Sequence, residues 1–233
     1  MSILFFFKKH LPLKILLRIT IVALSLVWIL TSGTACSKEI NYFDYVSELR
    51  SNIFVTKSDS FSLRIYAVCK ESPYSTDGIP RETFTRLEAY LITPEGNKQT
   101  HIRLQIEDNY YEGEMSYDIV KGEYYASFPI DASTLQEIPC FVQYGDEEKE
   151  LTATSILTPN TISPQEALKK VQTEKAELFL SLTDKYGFSG EIYLRLLFED
   201  SPYYYVGIID RQGNCTAFLM NAETGKILAK RQT

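Results

Sequence analysis

The side chains suited to chemistry are few. The chain has two histidines, and His10 lies among the basic residues at its start, leaving His101 alone in the body. One imidazole cannot build a multi-histidine metal site, and a Ser-His-Asp hydrolase would have a single candidate base; neither chemistry is expected. Cysteines stand at 36, 69, 140 and 215 with no C-x-x-C spacing, so zinc and thioredoxin-type chemistry lack support. The densest carboxylate run is Glu107-Asp108-Asn109-Tyr110-Tyr111-Glu112-Gly113-Glu114. Asp108 with Gly113 five residues on imitates the opening of an EF-hand loop. Tyr110 at its third position and Ile119 at its twelfth, where a bidentate Glu belongs, argue against one. The run reads as an acidic hairpin loop, and Asp146-Glu147-Glu148 as a solvated turn. No catalytic residue, metal site or cofactor is expected.

Tyrosine is the abundant polar aromatic, with 16 copies, including Tyr110–Tyr111, Tyr124–Tyr125 and the run Tyr203 to Tyr205. Exposed rings can stack on sugars or form a protein interface. Neighbours in a strand face opposite ways, so one of each pair is expected in the core. Charge narrows the partners further. Lys8, Lys9, Lys14 and Arg18 lie before residue 36 and no Asp or Glu does, so the rest is more acidic than the whole-chain net of −6. Nucleic acid is excluded as an expected partner, because phosphate binding needs a basic surface. The acidic excess sits between Lys38 and Leu157; beyond Thr158 basic and acidic residues balance. Solubility beside an anionic envelope explains this, and cation or basic-ligand binding is the functional alternative.

The start of the chain has the order of an export signal. A basic stretch to Arg18 is followed by the uncharged apolar run Ile19 to Leu30, then by small residues leading to Cys36. Twelve helical residues reach about 18 Å, short of the ~30 Å hydrocarbon core of a bilayer. Gly33-Thr34-Ala35-Cys36 resembles the lipobox of bacterial lipoproteins. Gly33 departs from the aliphatic residue usual at its position. The resemblance implies cleavage after residue 35, acylation of Cys36, and anchorage by more than one acyl chain on the extracytoplasmic face of a bacterial membrane.

The body reads as two units. After a signal peptide over 1–35 and an anchor or linker over 36–50, residues 51–157 carry period-two runs. Phe61, Leu63, Ile65, Ala67 and Cys69 alternate with polar neighbours, and Arg86 to Thr93, His101 to Ile106, Tyr124 to Ile130, Ile138 to Tyr144 and Leu151 to Leu157 follow. Short strands separated by turns predict an antiparallel β-sandwich, immunoglobulin-like in architecture; the buried core Trp of true immunoglobulin domains is missing. Cys69 and Cys140 fall on the apolar side of their runs. They suit a disulfide between facing sheets, which an exported location permits, or two buried small hydrophobes. Cys215 has no evident partner.

A linker over 158–162 leads to Ser163-Pro164-Gln165-Glu166, a helix start with a capping Ser, Pro at the first position and Glu three residues on. An apolar face through Ala167, Leu168, Val171, Leu178, Phe179 and Leu182 follows, then strand candidates at Glu191 to Phe198, Tyr203 to Asp210 and Cys215 to Asn221. The opening helix, the Tyr203 to Asp210 strand and the ending Asn221-Ala222-Glu223-Thr224-Gly225-Lys226-Ile227 resemble the PepSY-type domain of secreted bacterial proteins. Asn221 replaces the usual Asp, and the helix-to-strand spacing is longer. The fold class expected is thus all-β followed by α+β, with 163–233 as a PepSY-like helix-plus-antiparallel-sheet domain.

Together these readings imply a non-enzymatic, lipid-anchored envelope protein with a binding or accessory role towards a protein or peptide. The PepSY resemblance adds modulation of a peptidase. A wall-polymer or glycan-binding module using the tyrosines is the alternative. A carboxylate hydrolase is a third, requiring two acidic side chains facing across a cleft.

Overall fold

Alternation of apolar and polar side chains sets the strands. A computed structural model describes residues 40–57, 61–94, 96 and 98–233; the segment read as an export signal and Cys36 lie outside the described residues. From Asn41 onward the chain is one compact unit. β1 (Val46–Lys57), β2 (Ser62–Glu71) and β3 (Thr83–Ile92) run antiparallel as neighbours. β4 (Thr100–Ile106) and β5 (Asn109–Glu114) cross to a facing layer, while β6 (Ser116–Asp118) and β7 (Glu123–Phe128) return to the β3 side. β8 (Glu137–Tyr144) and β9 (Glu147–Ser155) complete the facing layer, in the order β5-β4-β8-β9. The layers meet along one side, where Phe54 and Val55 of β1 pair with Ser155 and Thr154 of β9. On the other side the chain passes from β5 to β6 through buried Met115, whose N–H donates to the Thr100 carbonyl at 2.8 Å. The product is a nearly closed, sandwich-like antiparallel fold.

Its core lies between the layers. Leu63, Ile65, Leu87, Ala89 and Leu91 from one face meet Ile102, Leu104, Ile138, Cys140 and Val142 from the other, all fully or nearly fully buried. Each large aliphatic side chain contributes about 1.5–3 kcal/mol by leaving water.

The C-terminal third extends the same hydrogen-bonded sheet. α1 (Pro164–Glu174) begins at the expected capping box, with Ser163 Oγ accepting from Glu166 N–H and Glu166 Oε2 accepting from Ser163 N–H at 2.8 Å. The apolar face expected as one helix breaks at Lys175 and continues as α2 (Ala176–Ser181). A short hairpin, β10 (Thr183–Asp184) and β11 (Gly187–Phe188), precedes β12 (Gly190–Phe198), β13 (Pro202–Asp210), β14 (Cys215–Asn221) and β15 (Ile227–Gln232). Ala167, Leu168, Val171 and Phe179 are buried on one side of this sheet, and Tyr204 of β13 donates its hydroxyl to the Ile162 carbonyl at 2.8 Å just before α1. β12 pairs in parallel with the first half of β1, Leu49 opposite Leu194 and Arg50 opposite Arg195. Within the segment read as anchor or linker, Tyr42–Tyr45 is a 3-10 turn and Val46 to Arg50 is the strand that joins the two halves. Tyr42 locks this turn by edge contacts to Phe179 and Phe188 at 4.8 and 5.3 Å.

Candidate functional site

The polar side of the same alternation builds a surface. On β2, residues 63, 65 and 67 enter the core, so Arg64 and Tyr66 face outward; on β3 and β7 the outward positions include Glu88, Tyr90 and Tyr125. Register then aligns the rings. Tyr90 lies opposite Tyr125, and Tyr66 lies opposite Glu88, one step diagonal to Tyr90. Ring centroids are 5.3 Å apart for Tyr66–Tyr90 and 5.2 Å for Tyr90–Tyr125, tilted in both cases. Arg50 of β1 sets its guanidinium 4.2 Å above the Tyr66 ring, a cation–π arrangement. Lys70 pairs with Glu88, whose other oxygen accepts from the Tyr90 hydroxyl at 3.2 Å. Burial, and then the Glu88 charge, push the Tyr90 hydroxyl above its ordinary range, so it stays a neutral donor. A row of half-buried aromatic faces with one stacked Arg and an ion pair therefore crosses three strands.

The parallel β1–β12 pairing carries the row onward to a part that is roofed. Arg195 lies beside Arg50, bonds Glu48, and donates to Tyr74 Oη at 2.8 Å. Its guanidinium also lies 4.7 Å from the Tyr193 ring and 5.8 Å from Tyr205. The roof is the segment 72–82 between β2 and β3. Tyr74 leans on Tyr193 with centroids 5.7 Å apart, and Gly78 is buried against the Asp210 carbonyl. Two carboxylates hold this segment by its backbone: Glu71 accepts from Arg81 N–H at 2.6 Å, and Glu191 from Gly78 N–H. Glu71 is 1% exposed and Glu191 is fully buried. Burial first, and then the neighbouring Glu71 charge, raise the Glu191 carboxyl above its ordinary range.

The sequence candidates are distributed over the fold. Of the paired tyrosines, Tyr124 and Tyr204 are core residues, while Tyr125, Tyr203 and Tyr205 lie on the opposite face of their strands. Tyr111 packs on the core and Tyr110 is 59% exposed in the β4–β5 hairpin. Cys140 of β8 is buried in the core between the layers and Cys69 of β2 is half-buried; each is a free thiol. Cys69 Sγ lies 3.3 Å from Thr83 Oγ1 and Cys140 Sγ lies 3.1 Å from the Ile138 carbonyl; burial pushes the Cys140 thiol up to about 12. Cys215 Sγ contacts the Tyr205 hydroxyl at 3.8 Å. Asp108 lies in the β4–β5 turn, and Asp146 in the β8–β9 turn. His101, Glu112, Glu114 and Glu148 border a hollow of about 420 Å³ on the facing layer, with Arg103 over Phe141 at 4.6 Å.

Tyr66, Tyr90, Arg50, Glu71, Glu191 and Arg195 are not prominent in the sequence. The row uses single tyrosines from three strands, and only register shows them as neighbours. Glu191 and Arg195 did leave a signal: they are charges set among the apolar residues of Glu191 to Leu197. No protein-family model, curated protein or solved structure matches the chain.

Proposed function

We propose that this chain is a lipid-anchored protein of the bacterial envelope, acylated at Cys36, that binds an extracytoplasmic protein or peptide without catalysing a reaction on it. The observation that carries the binding role is the Tyr66–Tyr90–Tyr125 row with Arg50 at its end. Tyrosine supplies large contact area with few rotatable bonds, arginine adds a planar charged fork, here already stacked on Tyr66, and both are enriched among the residues that dominate interface energetics. The lipobox-like Gly33 to Cys36 supports the location. The immunoglobulin-like reading of the sandwich and the PepSY-like reading of 163–233 fit an accessory module, including one that modulates a peptidase.

Photo-crosslinking on intact cells from position 64, beside the row, tests this reading. Capture of a defined envelope protein that is lost in the Tyr66→Ala/Tyr90→Ala/Tyr125→Ala variant is expected. Equal capture by native chain and variant, or none beyond bulk surface proteins, overturns it. The alternative is a wall-polymer or glycan ligand, favoured by the ring faces of the row, which suit stacking on sugars. Retention on isolated wall polymer that the triple variant loses is its distinguishing result.

A further inference from the structure

The roofed end of the face holds more negative charge than its partners neutralise. Around Glu191 are Glu71 from β2, the Ser47 hydroxyl from β1, Arg81 and the Gly78 N–H from the roof, and Tyr193 from its own strand; Tyr74, Glu48 and Arg195 form the next group along the face, and Asp77 lies on Arg81. Asp210 of β13 is nearby but turned to its own hairpin, where it accepts from the N–H groups of Gln212 and Asn214. Arg195 is committed to Glu48, and Arg81 to Asp77 with Glu71 Oε2 at 3.7 Å. Among the described residues no cation forms an ion pair with Glu191; Arg81 acts on it only at longer range. Glu191 Oε1 accepts from the Tyr193 hydroxyl at 2.9 Å, the Gly78 N–H and the Ser47 hydroxyl are its other polar neighbours, and its buried Oε2 has no close hydrogen-bond donor. A buried charge without an ion-pair partner is costly even where it is hydrogen-bonded, and loading a proton removes that cost.

We propose that segment 72–82 is a pH-operated strap over the Arg195 end of the binding face, closed while the buried Glu191 carboxyl beside Glu71 holds a proton and released when that proton passes to water. The functional part rests on the binding face proposed above: an open strap lengthens the tyrosine row by Arg195, Tyr193 and Tyr205. The strap is built for release. It is held by Gly78 N–H on Glu191, Arg81 N–H on Glu71 and Tyr74 on Arg195, and Tyr74, Ile79 and Arg81 are nonetheless largely open to solvent. The raised carboxyl of Glu191 agrees in sign. Closure favours its neutral form, so the closing contribution is complete below the ordinary carboxyl range and is lost as pH rises through the raised value.

Amide hydrogen exchange of the full chain without ligand, corrected for intrinsic rates, reads the strap directly. The opening equilibrium at Gly78 and Arg81 is expected to grow with pH, by up to about tenfold per unit for one proton, while Leu87 in the core keeps its protection. Glu191→Gln, which keeps the acceptor and removes the charge, is expected to flatten that dependence. Strap protection that is constant or rises with pH, or an unchanged slope in Glu191→Gln, overturns the proposal. Should the variant not fold, carbon-13 titration of the Glu191 carboxyl in the native chain decides: a midpoint above the ordinary glutamate range supports the strap, and one at or below it refutes it. Because no ligand is present, a strap that ignores pH leaves the tyrosine-row reading untouched, and failed crosslinking leaves the strap untouched.

Discussion

Replacing Gly78 by Ala isolates how tightly the segment 72–82 is seated. Gly78 has φ +73°, and a Cβ built there falls against the Asp210 carbonyl oxygen, 2.5 Å from its carbon and 2.7 Å from the Arg211 nitrogen. These are backbone atoms of β13 and its hairpin, which have no rotamer to change. Gly122 is a natural control, with φ +68° and nothing within 4 Å of the added carbon. Both variants incur the left-handed backbone penalty, roughly 1–2 kcal/mol. Only Gly78→Ala must also lift the segment, which breaks the backbone bonds to Glu191 and Glu71. A hydrogen bond contributes about 0.5–1.5 kcal/mol, and up to about 3 where one partner is charged, so losing both brings the expected total to about 3 kcal/mol or more, against about 1–2 for Gly122→Ala. Lifting the segment is a local alternative to global unfolding, so the loss appears first as tryptic cleavage after Arg81 and only in part as a lower urea midpoint. Equal loss of stability in the two variants, with cleavage after Arg81 unchanged, would refute the packing argument.

Other consequences follow from single contacts. Tyr204→Phe leaves the Ile162 carbonyl without its buried partner and is expected to cost about 1–3 kcal/mol, read as a shift of denaturant midpoint at constant slope. Ser163→Ala removes the α1 cap and should cost about 1 kcal/mol. The backbone and hydroxyl bonds of Ser163 hold the Glu166 carboxyl below its ordinary range, so its contribution to the helix start is present at neutral pH and is lost as pH falls through that lowered value; far-ultraviolet circular dichroism on acidification reads the difference. In the native chain at neutral pH, a maleimide is expected to reach Cys69 and Cys215 and to spare Cys140, whose thiol at about 12 is protonated and shut in the core. After unfolding without reductant all three should react; protection of Cys69 and Cys140 together would instead reveal a bridge.

Local patterns were legible wherever one segment carried all the information. The alternation through Leu63, Ile65 and Ala67 specifies a strand with one buried face, because a one-residue slip would expose all of them. Ser163 to Glu166 specifies a helix start because its donors and acceptors lie within four residues. The same alternation separated Tyr124 from Tyr125 and Tyr204 from its two neighbours. The candidate site was not legible. Tyr66, Tyr90 and Tyr125 become one row only through the pairing of three strands, and Arg50 meets Arg195 only because β1 accepts β12 in parallel on the edge whose far half pairs with β9. Glu71 and Glu191, 120 residues apart, share one buried roof for the same reason. Their charge reads as solvated until burial removes the water, and which face is covered depends on the long-range closure of the chain.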